Sequence, residues 1–138
     1  MTFVLDASVT LSWAFEDESV EYARNILAML EREEAWTTAL WPLEVSNGLT
    51  VAERRGRIDP EDSARFTRLL LALPIIVEPV DRRRVLEQTR VLARRCNLSA
   101  YDAHYLELAI RYGIPLATLD GGLQQAAEQE GVPGPLTQ

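Results

Sequence analysis

The chain has 138 residues, 47% of them apolar and 25% charged, with a net charge of −7, which describes an ordinary globular domain and argues against nucleic-acid binding over its whole surface. All fourteen basic residues are arginine, so a lysine-dependent phosphate-binding P-loop is excluded. One cysteine, Cys96, allows no internal disulfide and no cysteine zinc site, and any Ser–His–Asp chemistry would rest on the lone His104.

"TFVL" reads as a short buried strand that runs into Asp6, and "ASVTLSWAF" as one or two helical turns. "SVEYARNILAMLERE" sets Val20, Ala23, Leu27 and Leu30 on one face, the spacing of an amphipathic helix. A weak strand, "AWTT", precedes "WPLEVSNGLTVAERRG", a helix with proline near its first turn and Gly56 at its end. "DPEDSARFTRLLLAL" is a helix capped by Asp59 and stopped by Pro74. "IIVEPV" is a strand, "DRRRVLEQTRVLARRC" a helix capped by Asp81, and "SAYDAHYLELAIRYG" a helix ended by Gly113. "IPLATLD" is a strand, and a helix from about Gly122 to Glu130 precedes a Gly/Pro-rich tail. Strands alternating with helices predict one α/β domain over residues 1–138, a three-layer α/β/α sandwich with a central, mostly parallel sheet. The apolar run "LLLALPIIV" is too short for a bilayer span and no secretory leader is visible, so a cytoplasmic protein without membrane association is expected.

In such sheets ligands bind beyond the carboxyl ends of the strands. Asp6 follows "FVL" and Asp120 follows "LATL", while Glu44 and Asp102 fall in the first turns of helices that begin at the same edge. Each acid also has a plain structural use. Asp6 and Asp120 suit helix caps, Glu44 suits a helix dipole, and Ser99 with Asp102 has capping-box spacing. Asp102 is the least well served by that explanation. At about 100° per residue it aligns with Leu106 and Ala109, whereas His104, Glu107 and Arg111 form a polar stripe on the other side. A carboxylate on an apolar face is costly unless it is paired or binds metal. Asn47, one turn beyond Glu44, could add a neutral oxygen or amide.

Two carboxylates about 4 Å apart repel by roughly 4 kcal/mol at an effective dielectric of 20. With no lysine and no arginine immediately beside Asp6, Asp102 or Asp120, a divalent cation is the simplest counter-charge. All-oxygen ligands suit Mg²⁺ or Mn²⁺, ions that also engage phosphate, so metal-assisted phosphodiester hydrolysis is the expected chemistry.

"VLDASV", "PLEVSNGL", "LSAYDAHYLELA" and "PLATLD", in this order and spacing, resemble the PIN-domain nucleases, and most of all the VapC-type ribonuclease toxins of toxin–antitoxin pairs. The resemblance implies that Asp6, Glu44, Asp102 and Asp120 are an acidic quartet holding Mg²⁺ or Mn²⁺, with Ser8, Asn47 and Thr118 as supporting polar residues. It further implies an endoribonuclease acting on structured RNA, a small VapB-type antitoxin across the groove, a homodimer formed through helices, and no direct DNA binding without the antitoxin. Gly121 and Gly122 depart from the polar or charged residue many relatives carry after the last acid, so one firmly held ion is expected, with another arriving alongside substrate.

RNA contacts would come from local charge. Arg54, Arg55 and Arg57 follow the helix carrying Glu44 and are the first candidates, with Arg82 to Arg84 and Arg94 to Arg95 behind them; all could equally be solvated helix faces. Trp13, Trp36 and Trp41 fit packing better than base stacking, Cys96 reads as a small buried residue, and His104 as a surface residue on the polar stripe. The alternative to a nuclease is a catalytically inactive PIN-like module that binds RNA or protein. A receiver-type phosphotransfer protein would need a lysine, and a flap-type DNA nuclease needs longer added segments.

Overall fold

Four parallel strands, β1 (Phe3–Leu5), β2 (Ala35–Thr38), β3 (Ile75–Glu78) and β4 (Leu116–Ala117), form one sheet in the order β3-β2-β1-β4. This is seen in a computed structural model that describes residues 2–15 and 20–136. Phe3 pairs with Ala35, Val4 with Leu116 and Leu5 with Ala117, while β2 and β3 pair from Ala35–Ile75 to Thr38–Glu78. Parallel strands need crossover connections, and helices supply them. Helices α1 (Ala7–Ala14) and α2 (Glu21–Met29) lie between β1 and β2, and α3 (Trp41–Arg54) and α4 (Pro60–Ala72) between β2 and β3. From β3 the chain passes through α5 (Arg82–Arg84), a π-helical turn (Val85–Thr89), α6 (Arg90–Cys96) and α7 (Ala100–Tyr112) to β4, and α8 (Gly121–Gln129) follows. Helical layers on both sides of the sheet make the three-layer sandwich that the alternation predicts.

The core explains why these segments hold. Phe3, Val4 and Leu5 are all fully buried, as expected of a strand covered on both faces. Helix α7 packs on β1, β2 and β4 and buries Ala103, Tyr105, Leu106, Leu108 and Ala109 against them. Its ends are set by Ser99, whose hydroxyl accepts the Asp102 amide at 3.1 Å, and by Gly113, which adopts the left-handed φ of 65°.

Several expectations shift. The last strand stops at Ala117 instead of Asp120, because Thr118 and Ser8 side chains take over the backbone groups that follow. Strand β3 ends at Glu78, where Pro79 can donate no further ladder bond. The second helix begins at Glu21 and ends at Met29, and Ser19 lies outside the described residues. His104 is half-buried and Glu107 buried, because the π turn and α6 cover the polar stripe of α7. Arg111 then bridges Glu107 and Glu78, so the stripe faces protein instead of solvent. Cys96 is only partly buried and its thiol lies 3.7 Å from a Glu130 carboxylate oxygen. Trp41 is buried with its indole N–H donated to Thr10, Trp13 donates to the Ala23 carbonyl, and Trp36 stacks against Tyr112; all three serve packing, as expected.

Candidate active site

The chain moves from β1 to β2 to β3 in one direction and then places β4 on the opposite side of β1. That reversal opens a crevice at the carboxyl ends of β1 and β4, the position where α/β sheets bind ligands. A cavity of about 330 Å³ lies there, lined by Asp6, Ala7, Ser8, Leu11, Glu44, Asn47, Gly48, Asp102 and Asp120. All four acids singled out in the sequence therefore share one cleft, together with Ser8 and Asn47. Gly48 lets α1 and α3 approach, since a Cβ there would stand 2.6 Å from a Leu11 methyl.

Each acid is held differently. Asp6, only 5% exposed, leaves the end of β1 and accepts hydrogen bonds from Ser8 and Thr118 hydroxyls, both at 2.6 Å, on the same oxygen. Burial pushes its carboxyl above the ordinary range; the Ser8 and Thr118 bonds and the Ala7 amide pull it back, and the Asp120 charge adds to the rise. Thr118 is buried beneath the cleft and also accepts the Asp120 amide at 3.0 Å, so this supporting residue ties the ends of β1 and β4 together. Glu44, in the first turn of α3, accepts the Tyr105 hydroxyl at 2.7 Å. Its pKa is raised by burial first, with the Tyr105 bond opposing and the Asp6 and Asp102 charges adding. Asp102 is raised by burial and then by the charges of Asp120 and Asp6, with no side-chain hydrogen bond among the described residues to offset them. Asp120 is exposed and caps α8, accepting the Leu123 amide at 3.0 Å, so its structural use is real alongside its place in the cleft.

Three acids whose carboxyls are held above their usual range, in part by one another's charge, constitute a site short of positive charge. Oxygen donors of this kind match a hard divalent ion. Among the described residues, however, no three acidic, histidine or cysteine side chains are arranged to hold an ion as they stand. Asp6, Glu44 and Asp120 each engage their local donors through one carboxylate oxygen.

Sequence reasoning missed Tyr105, which is buried and positions Glu44. Its spacing from Asp102, three residues and so the same helix face, is the signal that could have found it. Arg54, Arg55 and Arg57 are exposed but sit at the far end of α3, about 15 Å along the axis from Glu44 at 1.5 Å per residue. Arg57 is engaged over the Phe15 ring at 4.4 Å. Arg84 and Arg95 pair with acids, Arg84 with Asp81 and Arg95 with Glu130.

Comparison with known proteins agrees with the geometry. The PIN domain family model matches residues 3–129. Ribonuclease VapC3 of Pyrobaculum aerophilum is 29% identical over 125 residues, covering 91% of this chain and 94% of its own length. The crystal structure of PAE2754 from the same organism superposes with a TM-score of 0.69 at 21% identity, over 91% of this chain and 84% of that one. Mycobacterium tuberculosis VapC20, described as a toxin that cleaves the sarcin–ricin loop, superposes with a TM-score of 0.64 at 17% identity, over 91% of this chain and 95% of that one.

Proposed function

Because the chain belongs to the PIN domain family, we propose that it is a Mg²⁺- or Mn²⁺-dependent endoribonuclease, the toxin of a VapBC-type pair, that hydrolyses phosphodiester bonds in structured RNA. The observation that carries this reading is the single cleft at the β1/β4 reversal lined by Asp6, Glu44, Asp102 and Asp120. The VapC3 ribonuclease, alike over nearly its whole length, supports the activity and an antitoxin partner of VapB type.

Asp6, Glu44, Asp102 and Asp120 would hold the ion, with Asp6 locked in place by Ser8 and Thr118, and Glu44 by Tyr105. When bound, the ion neutralises charge at the phosphodiester and lowers the cost of deprotonating the attacking water. The remaining steps belong to the chain. With the ion bound, Glu44 and Asp102 would be kept ionised by its charge, and Glu44 stays oriented by the Tyr105 hydroxyl. Asn47 can both donate and accept at the rim. Arg54 and Arg55, exposed at the end of α3, and Arg57 are assigned to distant phosphates of a long RNA. A homodimer, a cytoplasmic location, and DNA binding only through the antitoxin complete the reading.

Purified protein should cut structured RNA with Mg²⁺ or Mn²⁺ and stop when chelator is added; binding of RNA without any cutting would instead support an inactive binding module. Mg²⁺ should also raise the melting temperature, since a ligand of the folded state stabilises it. Equal shifts for wild type and Asp6→Asn would place the ion elsewhere. Tyr105→Phe should weaken Mg²⁺ binding by about 10- to 100-fold while the protein stays folded, because Glu44 loses the hydroxyl that orients it. Unchanged metal affinity would remove Tyr105 from the site.

A further inference from the structure

The aromatic side chains of this protein are almost all occupied by the fold. Phe3, Phe15, Phe66, Trp41 and Tyr105 are buried. Trp13 and Tyr22 pack against the core, and Trp36 and Tyr112 stack on each other. Tyr101 differs. It is 63% exposed and, among the described residues, has no ring partner and no hydrogen bond that the fold uses. It sits in the first turn of α7 immediately before Asp102.

Tyr101 lines a second cavity of about 370 Å³ with Leu40, Leu43, Glu44, Asn47 and Asp102. Glu44, Asn47 and Asp102 line the acidic cavity as well, so the two hollows adjoin across these three side chains. Leu43, from the first turn of α3, is 68% exposed at the same place. A large aromatic and a large aliphatic side chain left in solvent beside a strongly negative cleft serve no packing purpose visible in the structure.

Resting on the nuclease reading above, we infer that Tyr101 and Leu43 form a base-binding shelf that takes an unstacked base of an unpaired nucleotide flanking the phosphodiester to be cut. The chemistry favours this occupant. Among the described residues no arginine lines either hollow, so attraction for a nucleotide beside the ion site must come from contacts that do not depend on positive charge. Aromatic faces supply it, because every base has a π-face and unpaired bases are the ones free to stack on protein side chains. Asn47, at the join of the hollows, has an amide that can donate and accept along a base edge. A stack here would also select which phosphate lies nearest the acids, which links binding to the position of the cut. Fully paired RNA, whose bases are stacked inside the helix, could not use the shelf.

The test uses the full chain with Mn²⁺ and an RNA hairpin it cuts, in which the unpaired nucleotides on either side of the cut are replaced one at a time by abasic residues. Tyr101→Ala should raise KM about 5- to 150-fold, the range of one base stack, with kcat changed far less. Tyr101→Phe should behave like wild type, and Leu43→Ser should show a smaller rise in KM. One abasic position should reproduce the Tyr101→Ala loss in wild type and add little in the variant, the sign of a shared contact. Wild-type KM for Tyr101→Ala, or abasic losses that add fully to it, would overturn the shelf while cutting by wild type leaves the nuclease reading standing. No cutting of any RNA by wild type would overturn both.

Discussion

Asp102→Asn is expected to reduce RNA cleavage by at least about 100-fold, the usual loss when one electrostatic group of an active site is neutralised, while the metal-free protein melts at the same temperature or higher. The two outcomes share a cause. Asp102 is raised in pKa by burial and by the charges of Asp120 and Asp6, so its ionised form is disfavoured in the folded protein. An asparagine of the same shape removes that disadvantage and leaves the Ser99 cap on its backbone amide untouched. The pH dependence follows in sign. A carboxyl whose folded pKa lies above its ordinary 3.8 costs stability at high pH, and the cost fades as pH falls through the folded value. The variant's advantage in melting temperature should therefore be largest near pH 8 and vanish as pH approaches the ordinary aspartate range. His104, whose burial lowers its pKa, opposes this trend in both proteins and cancels in the difference. Cleavage at the wild-type rate by Asp102→Asn would remove the acid cleft as the site of chemistry. The other acids give less clean variants, since Asp6 is bonded to Ser8 and Thr118 and Asp120 caps α8.

What the sequence discloses depends on how local the cause is. The strand–helix alternation is written in periodicity and caps, so the sheet, the Asp59, Asp81 and Ser99 caps and the Gly113 terminus all emerge where expected. The acids could be brought to one edge because chain direction alone places strand ends and helix starts together in a parallel sheet. Surroundings that come from distant segments were not legible. The stripe of His104, Glu107 and Arg111 looks solvent-facing on a helix drawn alone, and only the π turn and α6, packed across it, bury it. Tyr105 reads as one more core residue until its hydroxyl is seen 2.7 Å from a carboxylate 61 positions earlier. Tyr101 escaped notice for the opposite reason, since an exposed aromatic is identifiable only once all the others are seen to be buried or paired.

The buried stripe leads to the largest stability effect expected outside the cleft. Arg111→Met should lower the unfolding free energy by about 2–3 kcal/mol, somewhat under the loss found when one partner of a fully buried ion pair is removed, because this pair keeps some solvent contact. Arg111 donates two bonds to Glu78, at 2.9 and 2.6 Å, and two to Glu107, at 2.9 and 3.1 Å. The three side chains are only 22%, 15% and 10% exposed, so neither carboxylate is well placed to recover water once the guanidinium is gone. Hydrogen bonding to Arg111 is also the main reason the Glu78 carboxyl lies below its ordinary range, and that stabilisation is present at neutral pH and lost as pH falls through the folded value. Methionine keeps the apolar stem, so the change isolates the charge and its bonds from the packing. Glu78 ends the edge strand β3 and Glu107 lies mid-way along α7, so the loss should be greatest for the outer edge of the sheet, read as faster amide exchange along β3 than along β1. Adding Glu78→Gln should restore part of the loss, because it removes one of the stranded charges instead of leaving it unpaired. Unfolding free energies from urea titration that differ by less than about 0.5 kcal/mol between wild type and Arg111→Met would reduce this network to an ordinary surface ion pair.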